Sequence, residues 1–312
     1  AIRRPDALVG KPAEAGTDVF AMDTGDDRSI IPNYDSGFPV DFAFRNVPLS
    51  TGNWQTSARL MQGKYIQVNT NAAEATSSGE QYDSNVGYAT DQSPSTVQAW
   101  MWKRHAGFDV VTYNVPTSSG QKQINHNLGR EPEMIWLKDR GNSDNWIVYN
   151  KYLGGGTDPW DYFLYLDASN AQSNSYPNYW GTSASDVNAN YFTINQQYRY
   201  TGNHIMMLFA SVDGISKVGS YDGQGSDLTI EFGFSPRFLI VKRYDSNGDW
   251  NVFDTLRGLD ATSNDKELRM NNTSAQSNHE VGEPTSTGFT FACGGSHDTC
   301  SVGQKYIYYA HA

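Results

Sequence analysis

The stretch from Leu128 to Asn150 reads LGREPEMIWLKDRGNSDNWIVYN, and the stretch from Phe232 to Asp254 reads FGFSPRFLIVKRYDSNGDWNVFD. Glycine, proline, lysine and tryptophan occupy the same four places in both copies, so that Trp146 corresponds to Trp250. Beyond the tryptophan the two copies keep the same separation in residue number, without a gap, as far as a shared Ala-Gln-Ser sequence. Two stretches that stay aligned over this length indicate a duplicated structural unit.

Weaker copies of the same pattern divide the chain into four predicted segments. Residues 105–212 and 213–312 are full repeats. Residues 35–104 are a divergent repeat, and residues 1–34 are the front half of another, with Pro5-Asp6-Ala7-Leu8-Val9 in the place of its first strand. A front half alone cannot cover its apolar face, so we expect residues 1–34 to pack on the segment that follows.

Composition and periodicity predict an all-β fold of tandem β-sandwiches. Strand and turn formers such as Gly, Asn, Ser, Thr, Tyr and Trp are abundant, whereas Leu, Glu and Lys are scarce. Each full copy contains about seven short apolar segments separated by turn residues, as in a sandwich. The run Met134–Leu137 is apolar without alternation, as expected of a strand covered on both faces. We also predict a hairpin in which Lys122–His126 returns along Phe108–Tyr113.

Charge and hydropathy exclude two classes of partner. The chain has a net charge of −11, carried mainly by aspartate, and a surface this acidic repels phosphate backbones. No apolar run approaches the ~18 residues that a transmembrane helix requires. We therefore expect neither a nucleic-acid partner nor a membrane span.

The two cysteines, Cys293 and Cys300, flank a Gly-rich loop between two predicted strands. The spacing allows a disulfide and, equally, two free thiols. His297 lies in the same loop, but a metal site that uses it needs more ligands than the loop offers. We therefore predict no metal ion and no cofactor.

Aromatic residues are the candidates for a binding site. Trp146 and Trp250 have a fixed place in the repeat, which favours packing over sugar stacking. Four aromatic residues occur only in the third segment, in loops rich in Gly, Pro, Asn and Asp; these are Trp160, Tyr176, Tyr179 and Trp180. Flat rings beside amides and carboxylates suit a glycan, and they equally suit the capped end of a sandwich or a subunit contact.

The other conspicuous polar residues are predicted to have structural roles. Lys138 and Lys242 are expected to pair with nearby aspartates on a solvated face. The acidic segments Asp23–Asp27 and Asp245–Asp249 lack the ligand spacing of a calcium loop and are predicted to be turns. No carboxylate pair is placed for glycosidase chemistry and no serine stands in a nucleophile elbow, so we predict no enzyme.

The chain resembles a family of repeat-bearing virion proteins of tailed bacteriophages, common in marine and cyanobacterial phages. The similarity covers nearly the whole chain and is loosest over residues 1–36. It is carried by six segments in order, which are Gly107–Tyr113, Asn125–Gly129, Pro132–Ile135, Asn145–Tyr149, Val212–Tyr221 and Tyr306–Ala312. The combined order is specific, whereas any one segment is not.

This resemblance implies a lectin-like β-sandwich in a structural component of the phage particle. The expected role is a non-catalytic tail fibre, tail-associated adhesin or capsid decoration at the virion surface. Expected partners are other virion proteins and copies of the chain itself, as a trimer or another symmetric homo-oligomer. The alternative function is a carbohydrate-binding module for host surface glycans, and a depolymerase is a third candidate.

Overall fold

The computed structural model describes residues 13–27, 31–91, 94–116, 119–260, 264–294 and 297–312. Within these residues the protein is all-β, and its only helical segments are short 3-10 turns. These turns are Gly16–Asp18, Arg59–Met61, Leu153–Gly156, Pro159–Asp161, Ala184–Asp186 and Gln196–Tyr198. The strand expected at Pro5–Val9 lies outside the described residues.

The strands form three units, each with one large antiparallel sheet and one small one. Unit 1, residues 13–104, has a six-stranded sheet in the order β1-β8-β3-β4-β5-β6 and a two-stranded sheet β2-β7. Its strands are β1 Phe20–Thr24, β2 Tyr34–Asp35, β3 Phe42–Asn46, β4 Gln55–Ala58, β5 Lys64–Gln67, β6 Ala75–Thr76, β7 Gly87–Tyr88 and β8 Gln98–Trp102.

Unit 2, residues 105–212, has a five-stranded sheet in the order β13-β12-β11-β15-β9 and a two-stranded sheet β10-β14. Its strands are β9 Phe108–Val115, β10 Gln121–Asn125, β11 Met134–Asp139, β12 Ile147–Asn150, β13 Leu164–Tyr165, β14 Tyr191–Asn195 and β15 Gly202–Phe209.

Unit 3, residues 213–312, has a six-stranded sheet in the order β16-β24-β18-β19-β20-β21 and a three-stranded sheet β17-β23-β22. Its strands are β16 Ser216–Asp222, β17 Leu228–Glu231, β18 Phe238–Arg243, β19 Trp250–Asp254, β20 Asp265–Arg269, β21 Ser277–His279, β22 Gly282–Pro284, β23 Gly288–Phe291 and β24 Lys305–His311.

Strand pairing relates the first two predicted segments and corrects one predicted hairpin. The described part of residues 1–34 packs on residues 35–104 within one sheet, because β1 pairs with β8 and β8 pairs with β3. The predicted hairpin is wrong, because β9 pairs with β15 while β10 pairs with β14 in the small sheet. In both cases the true neighbour lies far along the chain, where local turn signals carry no information.

Each large sheet is buried on both faces. Along β11, Met134 and Trp136 point into a core shared by all three units, whereas Ile135 and Leu137 point towards the small sheet of unit 2. Strand β18 in unit 3 divides its residues between the two cores in the same way. This double burial explains why these strands are continuously apolar, since alternate side chains face opposite sides of a sheet.

Aromatic rings from all three units meet in the shared core. Phe42 of unit 1 lies 5.7 Å from Phe108 of unit 2 between ring centroids. Trp102 of unit 1 lies 5.5 Å from Phe238 of unit 3. Phe209 of unit 2 lies 4.9 Å from Tyr309 of unit 3. Because every unit contacts both others, the three large sheets enclose one hydrophobic interior.

One tryptophan per unit links that unit to its neighbour. The indole N–H groups of Trp54, Trp146 and Trp250 donate to the backbone carbonyls of Arg269, Gln67 and Tyr165, at 3.0, 2.9 and 2.8 Å. Unit 2 therefore binds unit 1, unit 3 binds unit 2, and unit 1 binds unit 3. The equivalent contacts close a ring, and we refer to them as the tryptophan latches.

Backbone hydrogen bonds reinforce the ring at equivalent places. The N–H two residues before each latch tryptophan donates to the preceding unit; the pairs are Gly52 to Thr273, Asp144 to Asn71 and Gly248 to Ser169, at 3.0, 2.9 and 2.9 Å. A return bond runs the other way; the pairs are Glu74 to Arg140, Gln172 to Tyr244 and Gln276 to Pro48, at 2.9, 2.8 and 2.7 Å. These bonds satisfy loop backbone groups that the packing of the units removes from water.

Lys138 and Lys242 are buried inside this ring, and the expectation that they lie on a solvated face is wrong. Lys242 Nζ donates to the carbonyls of Ser169 at 3.1 Å and Gly248 at 2.6 Å. Lys138 Nζ donates to Asn71 at 3.1 Å in unit 1 and to Asp144 at 2.7 Å in its own loop. Each ammonium group therefore ties its own loop to the carbonyl of a neighbouring unit.

The buried lysines predict a stability that rises with pH. Burial lowers the pKa of Lys242 to about 7 and that of Lys138 to about 8, whereas an unfolded lysine titrates near 10.5. Between these values the unfolded chain binds more protons, so raising the pH favours the folded state. Urea unfolding should show a larger gain in stability from about pH 7 to about pH 9 for the native chain than for Lys242→Met.

Lys305→Met is the matched control, because Lys305 is exposed and, among the described residues, its ion pair is a long one of 3.9 Å with Asp222. That variant should keep the pH dependence of the native chain. An identical gain in Lys242→Met and in the native chain would show that Lys242 does not cause the effect.

Candidate glycan-binding groove

The structure separates the four aromatic residues predicted as glycan contacts. Tyr179 and Trp180 are fully buried in the core of unit 2, so they cannot offer a ring face to a sugar, and this part of the prediction is wrong. Trp180 Nε1 donates to the carbonyl of Tyr162 at 3.1 Å. The surrounding Gly, Pro and Asn residues indicate a loop, but this loop folds back and places its large rings between the two sheets.

Trp160 and Tyr176 lie closer to the surface. Trp160 is partly buried and packs against the core of unit 2. Tyr176 is 42% exposed, and its ring lies parallel to Phe163 at 5.5 Å and tilted on Tyr198 at 4.9 Å. The ring of Tyr176 is therefore fixed by aromatic contacts while part of it remains open to solvent.

Tyr176 lines a groove of about 370 Å³. The remaining lining residues combine aromatic rings with polar groups and are Asp144, Asn145, Ile147, Tyr165, Gln197, Tyr198, Arg199 and Tyr200. Tyr200 is 56% exposed. The groove thus presents four tyrosines, two amides, a carboxylate and a guanidinium over a short distance.

An ion pair between a buried arginine and a half-buried aspartate contributes to the polar lining of the groove. Arg199 Nη1 lies 3.0 Å from Asp144 Oδ2, and the Arg199 guanidinium lies 5.3 Å from the ring centre of Tyr179. Burial alone would lower the pKa of Arg199, but Tyr179 and Asp144 hold it above its ordinary value, so the arginine stays charged. The loop that carries Asp144 also donates to unit 1, which couples the groove to the ring.

Most of the groove residues were not identified from the sequence. Tyr198 and Tyr200 follow β14 in the segment Gln-Tyr-Arg-Tyr, where alternate tyrosines beside a turn are the only local signal. Asp144 and Tyr165 come from other strands and loops. Their convergence depends on the pairing of β12 with β13 and on the position of the 196–200 segment, neither of which the sequence indicates.

The cysteine loop belongs to unit 3. Cys293 and Cys300 form a disulfide with their Cα atoms 4.9 Å apart. Among the residues that the structure describes, the group of three or more metal-type ligands within reach of one another is Glu267, His279 and His297. His297 lies in the disulfide loop, whereas Glu267 and His279 lie on β20 and β21, and no local sequence pattern links the three.

In the described residues, the fold is an all-β arrangement of three ring-closed sheet units, and unit 2 carries an open aromatic groove. The chain matches the domain of unknown function DUF7483 over residues 55–312, and it belongs to that family. No curated protein matches the chain. In the described part of the chain, no helix has the length and apolarity needed to cross a bilayer.

Proposed function

We propose that the protein is a non-catalytic attachment component of a tailed-bacteriophage particle, and that its groove binds carbohydrate of the host surface. The observation that supports carbohydrate binding is the open groove lined by Tyr165, Tyr176, Tyr198 and Tyr200. The particle setting is supported by the ordered sequence similarity to virion proteins described above.

The chemistry of the groove suits a sugar. The apolar C–H face of a pyranose packs on a tyrosine ring, while its hydroxyl groups both donate and accept hydrogen bonds. Asn145 and Gln197 supply donors and acceptors, and Asp144 supplies acceptors. A net charge of −11 disfavours the main competing ligand with flat rings, a nucleic-acid strand.

The groove is also preorganised. The Tyr176 ring contacts both Phe163 and Tyr198, and the Arg199–Asp144 ion pair contributes to the same lining. Side chains that are fixed before binding lose little conformational entropy when a ligand arrives. A shallow groove of this kind is therefore expected to bind a glycan without rearrangement of the sheets.

Truncating the exposed tyrosines should abolish most of the binding. We expect Tyr176→Ala and Tyr200→Ala each to weaken glycan binding about tenfold or more, as for a central aromatic contact. A glycan array with the purified chain would identify the ligand, and calorimetric titration of each variant would measure the loss. Tyr65→Ala is the matched control, since Tyr65 is a partly exposed tyrosine on β5 outside the groove.

Equal affinities for Tyr65→Ala, Tyr176→Ala and Tyr200→Ala would contradict binding in the groove. If no glycan binds the native chain, the architectural role becomes the better proposal, favoured by the rigid ring of three units. That role requires self-assembly, so sedimentation should then show a homo-oligomer, with a trimer expected, whereas a monomer at high concentration would contradict it.

A further inference from the structure

The cluster of Glu267, His279 and His297 lies at the outer edge of the large sheet in unit 3. Glu267 is in the middle of β20, and its carboxylate is buried. His279 ends β21, where the register pairs it with Asp265, so Glu267 and His279 are diagonal neighbours on one face. His297 enters from the loop closed by the Cys293–Cys300 disulfide.

The donor atoms converge on one point. Glu267 Oε2 is hydrogen-bonded to His297 Nε2, and Glu267 Oε1 lies 3.8 Å from His279 Nε2. The two imidazole centroids are 4.5 Å apart. All three ligand atoms lie within 4.8 Å of one another. Donor atoms around a four-coordinate zinc ion stand about 3.4 Å apart, so a small rotation of the partly exposed His279 ring would complete the set.

A neighbouring threonine holds His297 in the orientation that a metal ion requires. His297 Nδ1 lies 3.0 Å from Thr299 Oγ1, which directs Nε2 of that ring towards Glu267. Metal-binding histidines in proteins commonly carry such a hydrogen bond on the nitrogen that does not bind the metal. Thr299 is fully buried, so this orienting contact is shielded from water.

Hydrogen bonds position the other two ligands. Arg269 Nε donates to Glu267 Oε1 at 2.8 Å, and Oε2 is the oxygen that faces His297. His279 Nε2 lies 3.0 Å from Ser277 Oγ, a contact that a bound ion would replace.

We propose that Glu267, His279 and His297 bind a divalent transition-metal ion, with zinc as the expected species. Two imidazoles and one carboxylate suit zinc and its neighbours, whereas magnesium and calcium prefer sites made of oxygen atoms. Three protein ligands leave a fourth position for water. The ion would fasten the disulfide loop to strands β20 and β21 at the edge of the sheet.

Zinc titration of the full chain tests this proposal directly. Calorimetry should show one zinc ion per chain, and zinc should raise the melting temperature, because a ligand that binds only the folded state stabilises it. Magnesium and calcium should do neither. His279→Asn and Glu267→Gln should each weaken zinc binding at least tenfold, and Thr299→Val should weaken it about 10–100-fold through the orienting contact.

Two matched variants control for ligands elsewhere in the chain. His126→Asn removes a buried histidine of unit 2, and Glu283→Gln removes an exposed carboxylate of β22, so both should bind zinc like the native chain. Melting in a chelator verifies that every variant is folded. The proposal is overturned if the native chain shows no saturable zinc binding, or if His279→Asn binds as tightly as His126→Asn.

Discussion

Trp146→Ala is expected to lower the free energy of unfolding of the chain by about 3–5 kcal/mol, the usual loss for a large buried ring. Trp146 is fully buried in the shared core, and its indole N–H donates to Gln67 of the neighbouring unit. The truncation therefore removes packing and opens one tryptophan latch. Because all three units contact one interior, urea unfolding should shift as a single transition to lower concentration.

A pair of phenylalanine variants separates the hydrogen bond from the packing. Trp136 is equally buried in the same core, but its indole N–H has no hydrogen-bond partner in the described structure. Trp146→Phe should therefore cost about 0.5–1.5 kcal/mol more than Trp136→Phe, the typical net contribution of one hydrogen bond. An equal loss of unfolding free energy in the two phenylalanine variants would show that the latch hydrogen bond does not stabilise the chain. Separate unfolding transitions for the units in Trp146→Ala would show that the units do not unfold as one cooperative body.

The second large effect is expected at Asp254, which lies where units 1 and 3 meet. Its Oδ2 accepts from Trp100 Nε1 of unit 1 at 3.0 Å and from Arg257 Nε at 2.7 Å. The aspartate and the arginine are both buried. Asp254→Ala should cost about 3–5 kcal/mol, because it leaves a buried guanidinium without its counter-charge and an indole N–H without an acceptor.

Thermal and urea unfolding of Asp254→Ala would measure this loss. Asp222→Ala is the control, since Asp222 is well exposed and its ion pair in the described structure is the long one with Lys305. Its removal should change stability by less than about 0.5 kcal/mol. Asp254→Asn keeps an acceptor for Trp100, so its loss of stability should lie between those of Asp254→Ala and Asp222→Ala. If Asp254→Ala were as stable as Asp222→Ala, the ion pair would be irrelevant to the contact between the units.

Local patterns in the sequence were sufficient for the fold class and for many of the strands. The apolar run at Met134–Leu137 is part of β11 and does lie between two packed layers, and the corresponding run Phe238–Val241 of the other full copy is part of β18. Such features depend on residues that are neighbours in the sequence, and both full copies of the repeat show the same pattern. The correspondence of Trp146 and Trp250 was also evident from the sequence, because the same contact fixes both tryptophans at the same position of the repeat.

Long-range partners could not be read from the sequence. The repeat showed that Trp146 and Trp250 correspond, but it did not show that they donate to carbonyls of a preceding unit. The third latch residue, Trp54, stands in the divergent copy, which has Asn46 where the other units have Lys138 and Lys242. The groove and the Glu267 cluster combine residues from separate loops and strands, so their composition followed only from the pairing of those strands.

The acceptors of the latches are main-chain oxygens, on residues as different as Gln67, Tyr165 and Arg269. A carbonyl is present whatever side chain the residue carries, so only the donating tryptophan is constrained by the bond. Proteins with this fold can therefore vary the acceptor residue of every latch in the course of evolution. We expect their descendants to exchange surface chemistry extensively while three indoles, one in each unit, are inherited unchanged.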